Sequence, residues 1–156
     1  MNENLLEARE ELKRLEHIIY VSLKYTRTVD VINNALNRMV STYDFIVDAF
    51  LDKALEDKKL DSVPKSPALK AKKLAELYPD DPLIQKNLHF YFSLRNILKS
   101  AYLKRQEFRR HVTLIDCSHQ FSDRVRRCGL IHLFRSLTRV LGAAEHLRPR
   151  NIEDLL

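Results

Sequence analysis

The sequence predicts an all-α fold: a single-domain antiparallel bundle of four to five helices over residues 1–147, followed by a short C-terminal tail over 148–156. Three observations predict it. Apolar residues recur at three- and four-residue steps through most of the chain, the period of a helix with one buried face. Only 2 glycines and 5 prolines occur in 156 residues. That is too few for the turns of an all-β sandwich or the glycine-rich loop of a Rossmann or P-loop nucleotide site. With 45% hydrophobic residues, the chain has enough apolar side chain for one core at this length.

The first helix runs from about Asn4 to Tyr25, with Leu5, Leu12, Leu15, Ile19 and Leu23 on one side and Glu7, Glu10, Glu11, Lys13 and Arg14 on the other. The segment Thr26-Arg27-Thr28-Val29-Asp30 interrupts the pattern. Either Thr28 or Asp30 caps a second helix, or one long helix runs straight through. The second stripe, from about Thr28 to Lys59, includes Ile32, Leu36, Met39, Tyr43, Ile46, Val47 and Phe50. Of these, Tyr43, Ile46 and Phe50 are expected to bury against the last helix through Leu133, Leu137 and Leu141.

Prolines and polar residues between Leu60 and Pro67 mark a loop. A short helix near Ala68 to Leu77 ends at Pro79, and Asp80 or Asp81 then caps a helix with Pro82 at its first position. Beyond Tyr102 the period changes. The β-branched run His111 to Ile115 predicts one short extended piece, with strand content otherwise negligible. A last helix from about Ser118 to Leu147 places Leu130, Leu137 and Leu141 on one face and a basic stripe of Arg124, Arg127, Arg135 and Arg139 on the opposite one.

The net charge of +6 is concentrated. Residues 1–60 carry −2 and residues 61–98 carry +2, whereas residues 99–139 carry +7 and the remainder −1. Clustered charge raises the local potential, whereas dispersed pairs cancel, so an anionic partner is expected: RNA or another polyanion. No apolar run of about 18 residues is present, so no membrane partner is expected. The polar, acidic N-terminus is not a secretory signal and two cysteines make no disulfide scaffold, which together predict a cytoplasmic protein.

Several constellations carry possible chemistry. Lys99 to His111 interleaves Lys104, Arg105, Arg109 and Arg110 with Tyr102 and Phe108. This reads either as a phosphate-tracking, base-stacking surface for single-stranded RNA or as an amphipathic helix with Tyr and Phe in the core and snorkelling cations. Arg105-x5-His111 has the arginine–histidine spacing of metal-independent helical ribonucleases. There, arginine holds the scissile phosphate and histidine orients or deprotonates the 2′-hydroxyl. Arg127-x4-His132, Arg126-x5-His132 and Arg139-x6-His146 match as well, so spacing alone does not choose among them. Cys117, His119, Cys128 and His132 include zinc-type ligands but no CxxC knuckle, and structural roles are the better reading; no metal or cofactor is predicted. Asp44, Asp48 and Asp52 recur every four residues as an acidic ridge, either solvated or paired with the basic stripe.

Ile32-x2-Ala35-Leu36-x6-Tyr43-Asp44-x5-Phe50, followed by Ala54-Leu55, resembles the long tyrosine-bearing helix of the HEPN superfamily of small prokaryotic helical domains. Leu94-Arg95-x4-Ser100-Ala101-Tyr102 is similar to the stretch before that family's last helix, and the helix order agrees. The resemblance implies an antiparallel bundle that dimerises and is associated with RNA cleavage or with a nucleotidyltransferase partner. The chain departs from the pattern where Lys99, Ser100 and Ala101 stand in place of the histidine expected after Arg95-Asn96. Arg105 with His111 is therefore the candidate catalytic pair, with Arg95 and Arg110 as phosphate holders. A catalytically inactive member, acting as an interaction module for an acidic protein or a ribonucleoprotein, is equally compatible.

Overall fold

The computed structural model describes residues 3–60, 62–117 and 124–146. Helix α1 (Glu3–His17) passes through a π-helical turn (Ile18–Ser22) into a short helix α2 (Leu23–Tyr25). Ala8, Leu12, Leu15, Ile19 and Leu23 are buried along it. Within the π-helical turn, Tyr20 meets Phe134 edge-on, with ring centroids 6.1 Å apart. The chain then breaks. Thr26 and Thr28 are extended, and helix α3 (Val29–Glu56) begins after them.

Helices α1 and α3 pack antiparallel, as two polar contacts show. Asn4 Nδ2 donates to Asp52 Oδ2 at 2.7 Å, while Arg38 Nη1 reaches Glu11 Oε1 and Oε2 at 3.1 and 2.9 Å, so the numbering runs in opposite directions. The Glu11 side chain is only 7% exposed. Arg14 and Arg38 both pair with it, which offsets the cost of taking a carboxylate out of water.

Proline opens both of the next helices, α4 (Pro67–Leu77) and α5 (Pro82–Lys99). Of the two candidate caps for α5, Asp81 is the one used: its Oδ1 accepts from the backbone N–H of Leu83 at 2.9 Å and of Ile84 at 3.2 Å. Gln85 Nε2 donates to the carbonyls of Ala75 and Tyr78 and so ties α4 to α5.

Tyr43, Ile46 and Phe50 are buried as expected, but the ring partners of the two aromatics are not on the last helix. Tyr43 packs against Phe90 and Tyr91, with centroids 6.2 and 5.8 Å apart, and Phe50 packs against Tyr78 at 6.2 Å. The reason is that α3 buries more than one stripe. One line faces α4 and α5, while α6 (Arg127–His146) also packs on α3 and extends to α1 and the π-helical turn. Tyr43 Oη donates to Asn87 Oδ1 at 3.1 Å, so the buried hydroxyl is satisfied.

Strand content exceeds the sequence expectation. Strands β1 (Tyr102–Arg105), β2 (Thr113–Asp116) and β3 (Arg124–Arg126) form an antiparallel sheet in the order β1-β2-β3. The extended piece predicted near His111 to Ile115 is the central strand. A buried strand on its own would leave its N–H and C=O groups unpaired, so the segments on both sides are drawn into the ladder. Two corrections follow. The basic segment after Lys99 is a hairpin rather than a helix. The last helix starts at Arg127, which places Arg124 on a strand instead of on the helical stripe.

Leu114 and Val125 lie in register on the sheet's inner face and are 1% and 8% exposed. By strand alternation Leu103 and Arg105 fall on the outer face. The tail expected over 148–156 lies outside the described residues. No helix among the described residues is long and apolar enough to cross a membrane.

Candidate nucleic-acid interface

The loop joining β1 to β2 is held in an unusual backbone conformation. Gln106 and Phe108 have φ of 53° and 62°, and the Arg109 N–H donates to the Gln106 carbonyl at 3.2 Å, closing a tight turn. A bulky side chain in this left-handed region costs roughly 1–2 kcal/mol, and it persists only where neighbouring contacts hold it.

Three contacts do so. The Phe108 N–H donates to the Arg27 carbonyl at 2.6 Å. Glu107 Oε1 accepts from the backbone N–H of Val29 at 3.1 Å. Lys104 Nζ donates to both Asp30 oxygens at 3.0 and 3.1 Å and lies 3.8 Å from Glu107. The loop is thereby fastened to the junction between α2 and α3.

Glu107 also answers the question of what caps α3. Thr28 occupies the N-cap position, but its hydroxyl makes no capping bond. The first N–H of the helix is met instead by a carboxylate 78 residues away, placed where the helix dipole favours negative charge. Glu107 is not among the sequence-predicted site residues. Its signal was present: Glu107 is the only acidic residue between Lys99 and Ile115.

The two aromatics of the basic segment have different environments. Tyr102 is half-buried against the core, whereas Phe108 is 76% exposed. Around Phe108 in sequence, Arg105, Arg109, Arg110 and His111 are exposed and none has an ion-pair partner among the described residues. Arg105 ends β1 opposite Thr113, and the His111 carbonyl accepts from the Thr113 hydroxyl at 2.8 Å. The candidate catalytic pair therefore sits on one hairpin, at the end that carries the loop.

Among the other predicted cations, Lys104 and Arg95 are engaged. Lys104 is neutralised by Asp30, whose hydrogen bond holds the ammonium pKa above its ordinary value. Arg95 lies between α5 and α3. Its Nη1 donates to Tyr91 Oη at 2.6 Å, its guanidinium lies 5.5 Å from the Tyr91 ring centroid, and Asp44 Oδ1 is 3.6 Å away. Arg135 and Arg139 are exposed on α6, with no ion-pair partner among the described residues. Arg124 lies in register with Ile115 on β3, and Arg127 begins α6.

The acidic ridge has partners of its own. Asp44 accepts from Tyr91 Oη, Asp48 Oδ1 lies 2.8 Å from Lys70 Nζ, and Asp52 accepts from Asn4. These partners come from α5, α4 and α1, and among the described residues none of the three aspartates pairs with Arg135 or Arg139.

Burial holds the Asp44 carboxyl above its ordinary value of 3.8, against the hydrogen bond from Tyr91 and the charge of Arg95. As pH rises past 3.8 the unfolded chain releases this proton before the folded one does. Stability contributed by Asp44 is therefore lost between the two pKa values and stays lost above them. Asp44→Asn keeps the acceptor for Tyr91. It is expected to be at least as stable as the unmodified protein at neutral pH and to lose this fall in a urea-melt series from pH 3.5 upward. A variant less stable at pH 7 than at pH 4, relative to the unmodified protein, would contradict the assignment.

Of the zinc-type set, His119 and the Cys128 side chain lie outside what the structure describes, and among the described residues no group of three His, Cys, Asp or Glu side chains is placed to hold a metal. In comparisons with known proteins, no family model matches the chain, and neither a curated protein nor a solved structure matches it significantly.

Proposed function

We propose that this protein is a HEPN-like helical domain that binds RNA, or another polyanion, through the β1–β2 hairpin together with the arginines of β3 and α6. In this reading Arg105 and His111 are the pair of a metal-independent ribonuclease. The observation that carries the proposal is the hairpin loop: an exposed aromatic residue flanked in sequence by four exposed cationic or titratable side chains that have no ion-pair partner among the described residues. Exposed aromatic side chains stack on bases while arginines bind phosphate, and no internal task explains either group here. In cleavage, Arg105 would hold the phosphate while His111 takes the proton of the 2′-hydroxyl; the 2′-oxygen bonds to phosphorus as the bond to the 5′-oxygen breaks, and that leaving oxygen takes a proton from water, giving a 2′,3′-cyclic phosphate and a 5′-hydroxyl.

Incubation with total RNA, with and without chelator, tests the reading. Salt-sensitive binding and chelator-insensitive cleavage are expected. His111→Ala should leave affinity within about twofold and abolish the cleavage; unchanged cleavage would remove His111 from the site. The second reading is a non-enzymatic module that docks an acidic protein, a nucleotidyltransferase or a second copy of this chain. It rests on Leu103, 60% exposed on the edge strand β1, and predicts no salt-dependent RNA affinity.

A further inference from the structure

Resting on the RNA-binding reading, we infer that Tyr25 and Phe108 form a two-ring stacking platform that selects unpaired nucleotides over duplex. Tyr25 stands at the last residue of α2, in a stretch whose sequence points to no site. The residue is 76% exposed, as is Phe108. The fold brings the two together, because the Phe108 N–H is bonded to the carbonyl of Arg27, two residues beyond Tyr25. Two residues of extended chain span at most about 7 Å, so the backbones of the two ring-bearing residues are near neighbours although 83 positions separate them in sequence.

Cations accompany both rings. Lys24 Nζ lies 5.7 Å from the Tyr25 centroid, and Arg27 Nε donates to the Lys24 carbonyl. Arg109 and Arg110 follow Phe108 directly. Two aromatic residues this exposed contribute little to the core, and Phe108 occupies its position with a left-handed backbone, a conformation glycine would adopt without strain. The tie from Glu107 to the first N–H of α3 holds this arrangement, making Glu107 a positioning residue. Bases stacked inside a duplex present no free face to such rings, whereas bases of a single strand do, and any base serves. The class of ligand is therefore single-stranded RNA bound with little sequence preference.

The test exploits the absence of tryptophan from the chain. Tyr25→Trp and Phe108→Trp each introduce the only indole, at an exposed position where the fold tolerates substitution. Each variant is titrated with a labelled single-stranded RNA 12-mer, with the same sequence as duplex, and with inorganic polyphosphate. Single-stranded RNA is expected to quench both indoles, while duplex and polyphosphate bind without quenching. Tyr25→Ala and Phe108→Ala should each weaken single-strand binding by about 5- to 150-fold, the range for losing one stacked base. Their salt slope should not change, because no charge is removed. Glu107→Ala should weaken single-strand binding in the Phe108 background but not in the Phe108→Ala background.

Binding of single strands with neither indole quenched, or with both alanine variants at full affinity, would overturn the platform and leave the RNA-binding reading standing. Equal affinity for duplex and single strand would overturn the selectivity. No binding of any of the three polyanions would overturn this inference together with the reading beneath it, leaving the rings to a protein partner.

Discussion

Phe50→Ala is expected to destabilise the protein by about 3–5 kcal/mol, the range for removing a buried phenylalanine and leaving a cavity. Phe50 is 6% exposed on α3, and its ring lies edge-on to Tyr78, the residue that ends α4. Removing it empties the space between the central helix and the α4–α5 turn. That turn is held by the Asp81 cap and the two carbonyls that Gln85 binds, so it cannot readily collapse inward. For a domain of this size the loss corresponds to roughly 6–20 °C in Tm. Leu69→Ala is the control: Leu69 is 54% exposed on the adjacent helix and should change stability by no more than about 0.5 kcal/mol. A loss below about 1 kcal/mol for Phe50→Ala would mean that its ring does not fill the α3–α4 interface.

Helix content was legible because helices declare themselves locally. The apolar period from Leu5 to Leu23, the proline start at Pro82 and the aspartate before it each act within a few residues. Partner choice was not legible by the same means. Tyr43 and Phe50 read as core, yet nothing local to α3 states whether α5 or α6 covers them, because a helix that is apolar on several sides offers a face to each. The sheet was missed for a related reason. Only β2 has the β-branched composition of a strand, while Tyr102 to Arg105 and Arg124 to Arg126 pair with it because its backbone needs partners, not because their side chains favour extension.

The candidate site was half legible. The concentration of charge after Lys99 marks the segment that folds as the hairpin, but not the exposure of Phe108 on it. A helix would have carried Phe108 inward as readily as outward; on the hairpin it is exposed. The placement of Glu107 and Tyr25 was not legible, since the first meets a helix 78 positions away and the second comes near the loop only through a backbone hydrogen bond between Phe108 and Arg27. The acidic ridge was legible as a ridge but not in its pairing. Lys70, Asn4 and Tyr91 reach it from three separate helices.

Arg109→Ala combined with Arg110→Ala is expected to weaken single-stranded RNA binding by about 25-fold at 0.1 M salt. The figure follows from counterion release. Each phosphate contact to a single strand contributes about 0.7 to the slope of log affinity against log salt, so two contacts contribute about 1.4, and a decade of salt below 1 M then separates the two proteins by about 1.4 decades. Both arginines are exposed and lack ion-pair partners among the described residues, so their removal leaves no buried charge uncompensated and no stability loss of note is expected. Lys104→Ala supplies the contrast. Its ammonium already serves Asp30 and lies 3.8 Å from Glu107, so its phosphate contribution should be smaller, while the loss of its support for the loop should show as a lower Phe108-dependent affinity. Fluorescence anisotropy of a labelled 12-mer across 0.05 to 0.5 M salt measures slope and intercept together. A double variant with the slope and affinity of the unmodified protein would remove the hairpin loop from the RNA path. A reduced slope with retained preference for single strands would assign the arginines to the phosphates and leave the rings to the bases.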